Sequence, residues 1–208
     1  MSLAAELEHG IVQLGLAADV TPEIQQKLLI YLDLLHKWNR VYNLTAIRDP
    51  KQMVSHHLLD SLAVLPCLWS GRWLDVGCGA GLPGLVLAAV RPDWTFTLLD
   101  SNSKKTSFVQ QAAIEMELAN VSVHCGRVEH WNPAWRFDGI ISRAFAEAVD
   151  FVALTRHLLA DDGRWAAMKG APAAELARLP VGVRVEANVP LHVPGLNATR
   201  SVVILRAE

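Results

Sequence analysis

Cysteine is scarce in this chain, long apolar runs are missing, and charge of either sign is nearly balanced. Only three cysteines occur in 208 residues, at positions 67, 78 and 125. Spaced so widely, they make neither a disulfide framework nor a metal pattern, and they suit a reducing cytoplasm. His56 and His57 are adjacent rather than four apart, which argues against a metal site there. The longest weakly polar stretch, Val76 to Val90, is interrupted by glycines and a proline and is too short for a membrane span. The opening MSLAAELEHG carries acidic residues and no basic-then-apolar leader, so secretion is not expected, and the sequon Asn43-Leu44-Thr45 has no consequence. No internal repeat or low-complexity segment is present. A formal net charge of −2 does not advertise a nucleic-acid binder. Between His36 and Asp60 there is a local basic tilt, with Lys37, Arg40, Arg48 and Lys51 against Asp49 and Asp60, which a solvated surface would explain equally well.

What the sequence does have is apolar content, 51% of residues, enough at this length for one well-filled α/β core. The stretch Arg72 to Val90, RWLDVGCGAGLPGLVLAAV, reads as a short buried strand, a glycine-rich turn and a helix with Pro83 in its first turn. Such a turn lets a ligand approach bare backbone at a helix start. Two cofactor classes compete for it. Gly79-x-Gly81-x-x-Gly84 matches the dinucleotide fingerprint, with Asp100 suitably downstream. A strand buried on both faces should, however, stay apolar up to its first glycine. Here Asp75 precedes Gly77, giving Asp75-x-Gly77-x-Gly79-x-Gly81, a form that resembles motif I of class I methyltransferases using S-adenosylmethionine (SAM). A carboxylate there suits a cationic ligand with a free amino group and repels a pyrophosphate.

Helical spacing predicts helices over 3–14, capped by Ser2, and from Thr21-Pro22-Glu23 to Trp38. An irregular segment is expected over Asn39 to Arg48, and a third helix from Asp49-Pro50 to Leu65. From Arg72 strands and helices alternate: strands at 95–99, 121–125, 139–142 and 164–168, helices at 103–118, 151–159 and 172–179. Strands at 183–189 and 201–205 should form a hairpin at one sheet edge. The expected fold is α/β, a Rossmann-like, doubly wound, mostly parallel sheet with an antiparallel edge. A helical extension, residues 1–66, precedes a SAM-binding core, residues 72–208, in a single domain.

Several residues are candidates for chemistry. Asp100, ending the second strand, can accept both hydroxyls of an adenosyl ribose, or else cap the following helix. Glu129, with Val128, follows the third strand, where the adenine edge would lie. Arg143 ends the fourth strand, as a ligand for the cofactor carboxylate or an acceptor phosphate, or in an ion pair with Asp138 or Glu147.

A set of ordered blocks then adds to this reading. His36-Lys37-Trp38-Asn39-Arg40-Val41-Tyr42-Asn43-Leu44-Thr45, Arg48-Asp49-Pro50, His57-Leu58-Leu59-Asp60-Ser61 and Asp75 to Gly84 resemble the RsmG (GidB) family. Leu98 to Ser101, Arg127-Val128-Glu129, Ser142-Arg143-Ala144 and Met168-Lys169-Gly170 continue the match over nearly the whole chain. The resemblance implies a class I methyltransferase that uses SAM to methylate N7 of a guanine in 16S ribosomal RNA of the small subunit. It implies cofactor-binding positions at Gly77, Leu82, Val128, Glu129 and Arg143, to which the motif reading adds Asp75, Gly79, Gly81 and Asp100. Guanine N7 already presents a lone pair, so no catalytic base is expected, and Arg143 and Lys169 are positioning candidates. Lys37, Arg40, Arg48, His56 and Arg200 are candidates for RNA contact, although His56 stands where relatives often carry arginine. The expected protein is a cytoplasmic monomer that needs no metal and no membrane. Rival readings are a small-molecule methyltransferase, which the pI of about 6.4 favours, an NAD oxidoreductase, and a ribosome-associated protein without turnover.

Overall fold

The computed structural model describes residues 2–171 and 173–208. Helix α1 (Leu3–Gln13) starts where the Ser2 hydroxyl accepts the Ala5 N–H. Helix α2 (Pro22–Tyr42) starts on Thr21, whose hydroxyl accepts from Ile24, with Pro22 in the first turn where its missing N–H costs nothing. This helix overruns the expected boundary by four residues. Asn39 is helical and buried, and its amide serves the loop beyond: Nδ2 donates to the Ile47 carbonyl at 3.2 Å and Oδ1 accepts the Thr45 N–H at 2.9 Å. The loop is irregular because it wraps one side chain of the helix before it.

The third expected helix is three pieces in one run: α3 (Pro50–Met53), a π-helical turn (Val54–Leu59) and α4 (Asp60–Leu62). A six-residue widening does not disturb an apolar stripe enough to be read from spacing. Next come β1 (Arg72–Val76), α5 (Gly84–Val90), β2 (Thr95–Asp100), α6 (Ser103–Glu115), β3 (Val121–Cys125), β4 (Phe137–Arg143) and α7 (Ala148–Thr155). They are followed by β5 (Leu159–Lys169), α8 (Ala173–Leu176), β6 (Val183–Leu191) and β7 (Arg200–Ala207). The expected helix at 172–179 is shorter, and Pro172 lies outside the described residues. Helix α6 also ends early, and Glu115, expected near its inner face, is exposed and accepts from Gln111.

The strands form one seven-stranded sheet in the order β3-β2-β1-β4-β5-β7-β6. Pairing is parallel from β3 to β5 and antiparallel through β7 and β6, as the sequence predicts. Alternation along the strands sorts side chains to two faces. Trp73, Phe96, Leu98, Met168 and Val202 join one apolar cluster with α1, α2, the π turn, α5 and α6. Leu74, Leu99, Trp165, Val203 and Leu205 join a second with α7. The N-terminal helices therefore share the larger core with the sheet. Chain order reverses between β1 and β4, so the carboxyl ends of β1, β2, β4 and β5 open onto the crevice where such sheets take ligands.

Candidate active site

Asp75 sets the glycine turn from beneath. It is fully buried on β1, and its Oδ2 accepts the Gly84 N–H at 2.8 Å. Gly84 carries no side chain because a Cβ there would press on that same carboxylate oxygen at 2.8 Å. This contact fixes the start of α5 at Gly84, leaving Pro83 just outside the helix rather than in its first turn. Asp75 lines neither cavity described below, and its Oδ1 has no hydrogen-bond partner among the described residues. Burial raises its carboxyl pKa to about 7.

Above the turn lie two cavities. The larger, about 560 Å³, is walled by Thr45, His56, His57 and Asp60 from the helical layer, by Gly77 to Ala80 and Leu82, and by Arg143, Lys169 and Arg200 from the strand ends. The smaller, about 360 Å³, is walled by Asp100, Ser101, Arg127, Val128, Glu129 and Phe145. Gly77, Lys105 and Ala144 line both, so the cavities meet at the turn. Gly77 has φ +66°, and a side chain there would run into the Phe145 ring. The bare backbone is what keeps the junction open. Gly81, expected at the ligand, lines neither cavity.

Asp100 is nearly buried at the end of β2. One carboxylate oxygen accepts the Gly79 N–H at 3.0 Å and the other the Asn102 N–H at 2.9 Å, so it ties the glycine turn to the next loop. The cap of α6 is Asn102, not Asp100. Each Asp100 oxygen keeps a second lone pair for a hydroxyl donor. Paired ligand hydroxyls fit there, a planar ring fits the Val128–Glu129 end, and a charged chain fits past Gly77 into the larger cavity. The residues present fit an adenosyl group.

Arg143 pairs with neither Asp138 nor Glu147. It donates to Asp60 at 3.0 Å and to the His56 carbonyl at 2.9 Å. Arg200, at the start of β7, donates to the other Asp60 oxygen at 3.0 Å. Lys169 is drawn to Glu175 at 2.7 Å and to the Ala146 carbonyl at 2.6 Å. It lines the cavity, but with its charge already answered, which weighs against a role in orienting RNA. Among the RNA-contact candidates, His56 and Arg200 line the cavity, whereas Lys37, Arg40 and Arg48 do not. Lys37 pairs with Asp33 one helical turn away, and Arg48 donates to Asn43. His57 shares a hydrogen bond with Thr45, while burial and the nearby Arg143 lower its pKa to about 4, so it is neutral at physiological pH. No group of three or more His, Cys, Asp or Glu among the described residues could hold a metal ion, and no described helix is long and apolar enough to cross a membrane.

Two contributors escaped the sequence reading. Asp60 sits after the π turn and meets its partners 83 and 140 residues away. Tyr31, fully buried in α2, donates its hydroxyl to the Ala80 carbonyl at 2.8 Å and so braces the glycine turn from the helical layer. Neither separation leaves a local signal; only Tyr31's place beside the apolar stripe marks it as inward. Tyr31→Phe removes one donor and leaves a buried carbonyl unsatisfied, a cost of about 1–3 kcal/mol. The expected result is a modestly less stable protein with a raised KM for the cofactor and a nearly unchanged kcat, measured by steady-state methyl transfer.

The family model described as "rRNA small subunit methyltransferase G" (GidB) matches residues 24–203. The chain belongs to this family. It is 52% identical over 206 residues to ribosomal RNA small subunit methyltransferase G of Laribacter hongkongensis, covering 99% of both chains. It is 54% identical over 204 residues to the protein of that name from Methylobacillus flagellatus, covering 98% of both. Among solved structures, TrmN from Thermus thermophilus superposes with a TM-score of 0.60 at 19% identity, over 74% of this chain and 53% of that one, so the chain spans about half its length. Coclaurine N-methyltransferase, bound to N-methylheliamine and SAH, gives a TM-score of 0.60 at 11% identity over 98% of this chain and 93% of that one. These likenesses establish the fold, a class I methyltransferase fold. The methyltransferase G family and this fold agree with the resemblance drawn from the sequence.

Proposed function

We propose that this protein transfers a methyl group from SAM to N7 of a guanine in 16S ribosomal RNA of the small subunit. The observation that carries the reading is the pair of cavities meeting at Gly77, in a chain that belongs to the methyltransferase G family. When bound, SAM supplies an electrophilic methyl group on a sulfonium. Asp100, Val128 and Glu129 hold its adenosyl end, and Gly77, Gly79 and Leu82 line the passage into the larger cavity. Arg143, Arg200 and His56 line the larger cavity, where the cofactor's amino-acid end and the acceptor meet. No proton leaves guanine N7, so no side chain serves as base, and the chain contributes positioning and electrostatics. His57 stays a neutral hydrogen-bonding partner of Thr45. Residues 1–66 and 72–208 work as one domain, a reading supported by their shared apolar core. The protein acts as a cytoplasmic monomer. The small-molecule alternative has no specific observation in its favour beyond the mild overall acidity, which the cavity lining does not share.

The test is methyl transfer from labelled SAM to small subunits taken from cells lacking the protein, with the product mapped at nucleotide resolution. A single 7-methylguanosine in 16S rRNA supports the reading; tight SAM binding with no label in RNA sinks it. Phosphate contacts from Arg40, Arg48 and Arg200 should make the KM for subunits salt-dependent, rising by more than about tenfold from about 50 to about 200 mM salt. Arg48→Ala should make that dependence shallower by about one contact's worth and leave the cofactor KM alone. A salt-independent KM in the parent protein counts against RNA contact on this face.

A further inference from the structure

The larger cavity carries charge opposite to that of the chain as a whole. Lys105, Arg143, Lys169 and Arg200 line it with a single carboxylate, Asp60; Lys169 is answered by Glu175 and Lys105 faces Asp100 at 3.8 Å, which leaves Arg143 and Arg200 to share Asp60. Asp60 is itself 2% exposed, and it gives one oxygen to each of two guanidiniums: Oδ2 to Arg143 Nη1 and Oδ1 to Arg200 Nε, both at 3.0 Å. The three residues come from the N-terminal helical layer, the end of β4 and the start of β7.

A buried carboxylate needs only one arginine to balance it. The second leaves a surplus positive charge on two partly exposed guanidiniums that face the cavity, where an anion can meet it. Each guanidinium spends part of its fork on protein. Arg143 Nη1 also donates to the His56 carbonyl at 2.9 Å, and Arg200 Nη1 donates to the Thr199 carbonyl at 3.1 Å. Nε and Nη2 of Arg143, and Nη2 of Arg200, make no hydrogen bond among the described residues. Because a guanidinium is planar, fixing one edge fixes the direction of the others. His57, which also lines the cavity, is held neutral by its burial and by the nearby Arg143.

We propose that Asp60 is a positioning residue, holding Arg143 and Arg200 as a two-guanidinium clamp for an oxyanion that enters the cavity with cofactor or acceptor. The inference rests on the methyl-transfer reading of the cavity and deepens it. Two oxyanions have this chemistry: the carboxylate of the cofactor's amino-acid end and a phosphodiester next to the target guanine.

Asp60→Asn separates orientation from charge. It keeps the shape of the side chain but removes its negative charge, leaving the wall more positive. If the arginines acted by charge alone, an oxyanion would bind tighter. If Asp60 aims them, it will bind about tenfold more weakly or worse. Affinity is measured by calorimetry with S-adenosylhomocysteine and with its decarboxylated analogue, and the KM for small subunits is measured at saturating SAM. A loss confined to S-adenosylhomocysteine, with the decarboxylated analogue unaffected, supports the clamp and identifies the carboxylate. An unchanged S-adenosylhomocysteine affinity with a raised subunit KM and a shallower salt dependence supports it and identifies the phosphate. Both affinities unchanged or tightened overturns it. Arg200→Gln, which leaves the Asp60–Arg143 pair intact, serves if Asp60→Asn does not fold: the same losses are expected, and their absence overturns the proposal equally. The parent protein runs alongside. If it neither binds S-adenosylhomocysteine nor labels subunits, the reading of the site fails; if it does both, only the role of Asp60 is at stake.

Discussion

Gly77→Ala is expected to abolish methyl transfer, with cofactor affinity reduced by about two orders of magnitude or more and the fold retained. Two costs act together. An alanine at φ +66° pays about 1–2 kcal/mol for a left-handed backbone, and its Cβ runs into the Phe145 ring. Phe145 is half-buried, lines the smaller cavity and sits edge-on to the buried Phe151 at 6.5 Å between centroids, so the strain is relieved at the expense of that cavity. A displaced Phe145 closes the smaller cavity, and a displaced turn loses the Gly79 contact with Asp100. The stability loss is one an α/β domain of this size tolerates; the loss of binding is not. Calorimetric titration with S-adenosylhomocysteine, beside a thermal melt, is the check. A variant that melts slightly early yet binds as the parent does would remove Gly77 from the site.

The second large effect concerns pH. The folded protein holds the Asp75 proton up to about pH 7, whereas the unfolded chain releases it near its ordinary 3.8. Between those values the folded state binds more protons, so this group makes stability fall as pH rises, by an amount on the order of 4 kcal/mol, constant above pH 7. His57 works the other way. Its folded pKa of about 4 lies below the ordinary 6.5, so its contribution is complete above pH 6.5 and is lost as pH falls toward 4. In the parent protein the two slopes oppose one another. Asp75→Asn keeps an acceptor for the Gly84 N–H and removes the titration. Its stability relative to the parent should therefore improve by several kcal/mol between about pH 4 and pH 8, with the His57 slope exposed below 6.5. Urea melts across that range measure this directly, and a difference between the two proteins that does not change with pH would contradict a buried, titrating Asp75. Because Asp75 lines no cavity, the same variant should retain most of its cofactor affinity, unlike Asp75→Ala, which strips the cap from α5.

Legibility in the sequence followed range of interaction. The β1–turn–α5 unit, the alternation of strands and helices, and the antiparallel edge were readable because each depends on neighbours within a dozen residues or on period-2 patterning. Spacing reveals the acid at the end of β1, Asp75, but not its hydrogen bond under the turn to the Gly84 N–H. Arg143 is legible as a basic group at a strand end, but its carboxylate partner lies in the helical layer at Asp60 and not nearby at Asp138 or Glu147. Asp138 is occupied with the Arg72 N–H and Glu147 with Arg178. Tyr31 and Asp60 went unassigned for the same reason, and the π turn was invisible because it preserves the apolar stripe on either side.

Strand β7 lies between β5 and β6 although it is the last of the three to be synthesised. The start of that strand also brings Arg200 to Asp60, 140 residues back along the chain. A nascent chain halted before residue 200 has a gap in its sheet and an open wall in its cavity. The wall of the working site is thus among the last parts of the described chain to be made, and it closes only once β7 has found its place between two strands already synthesised.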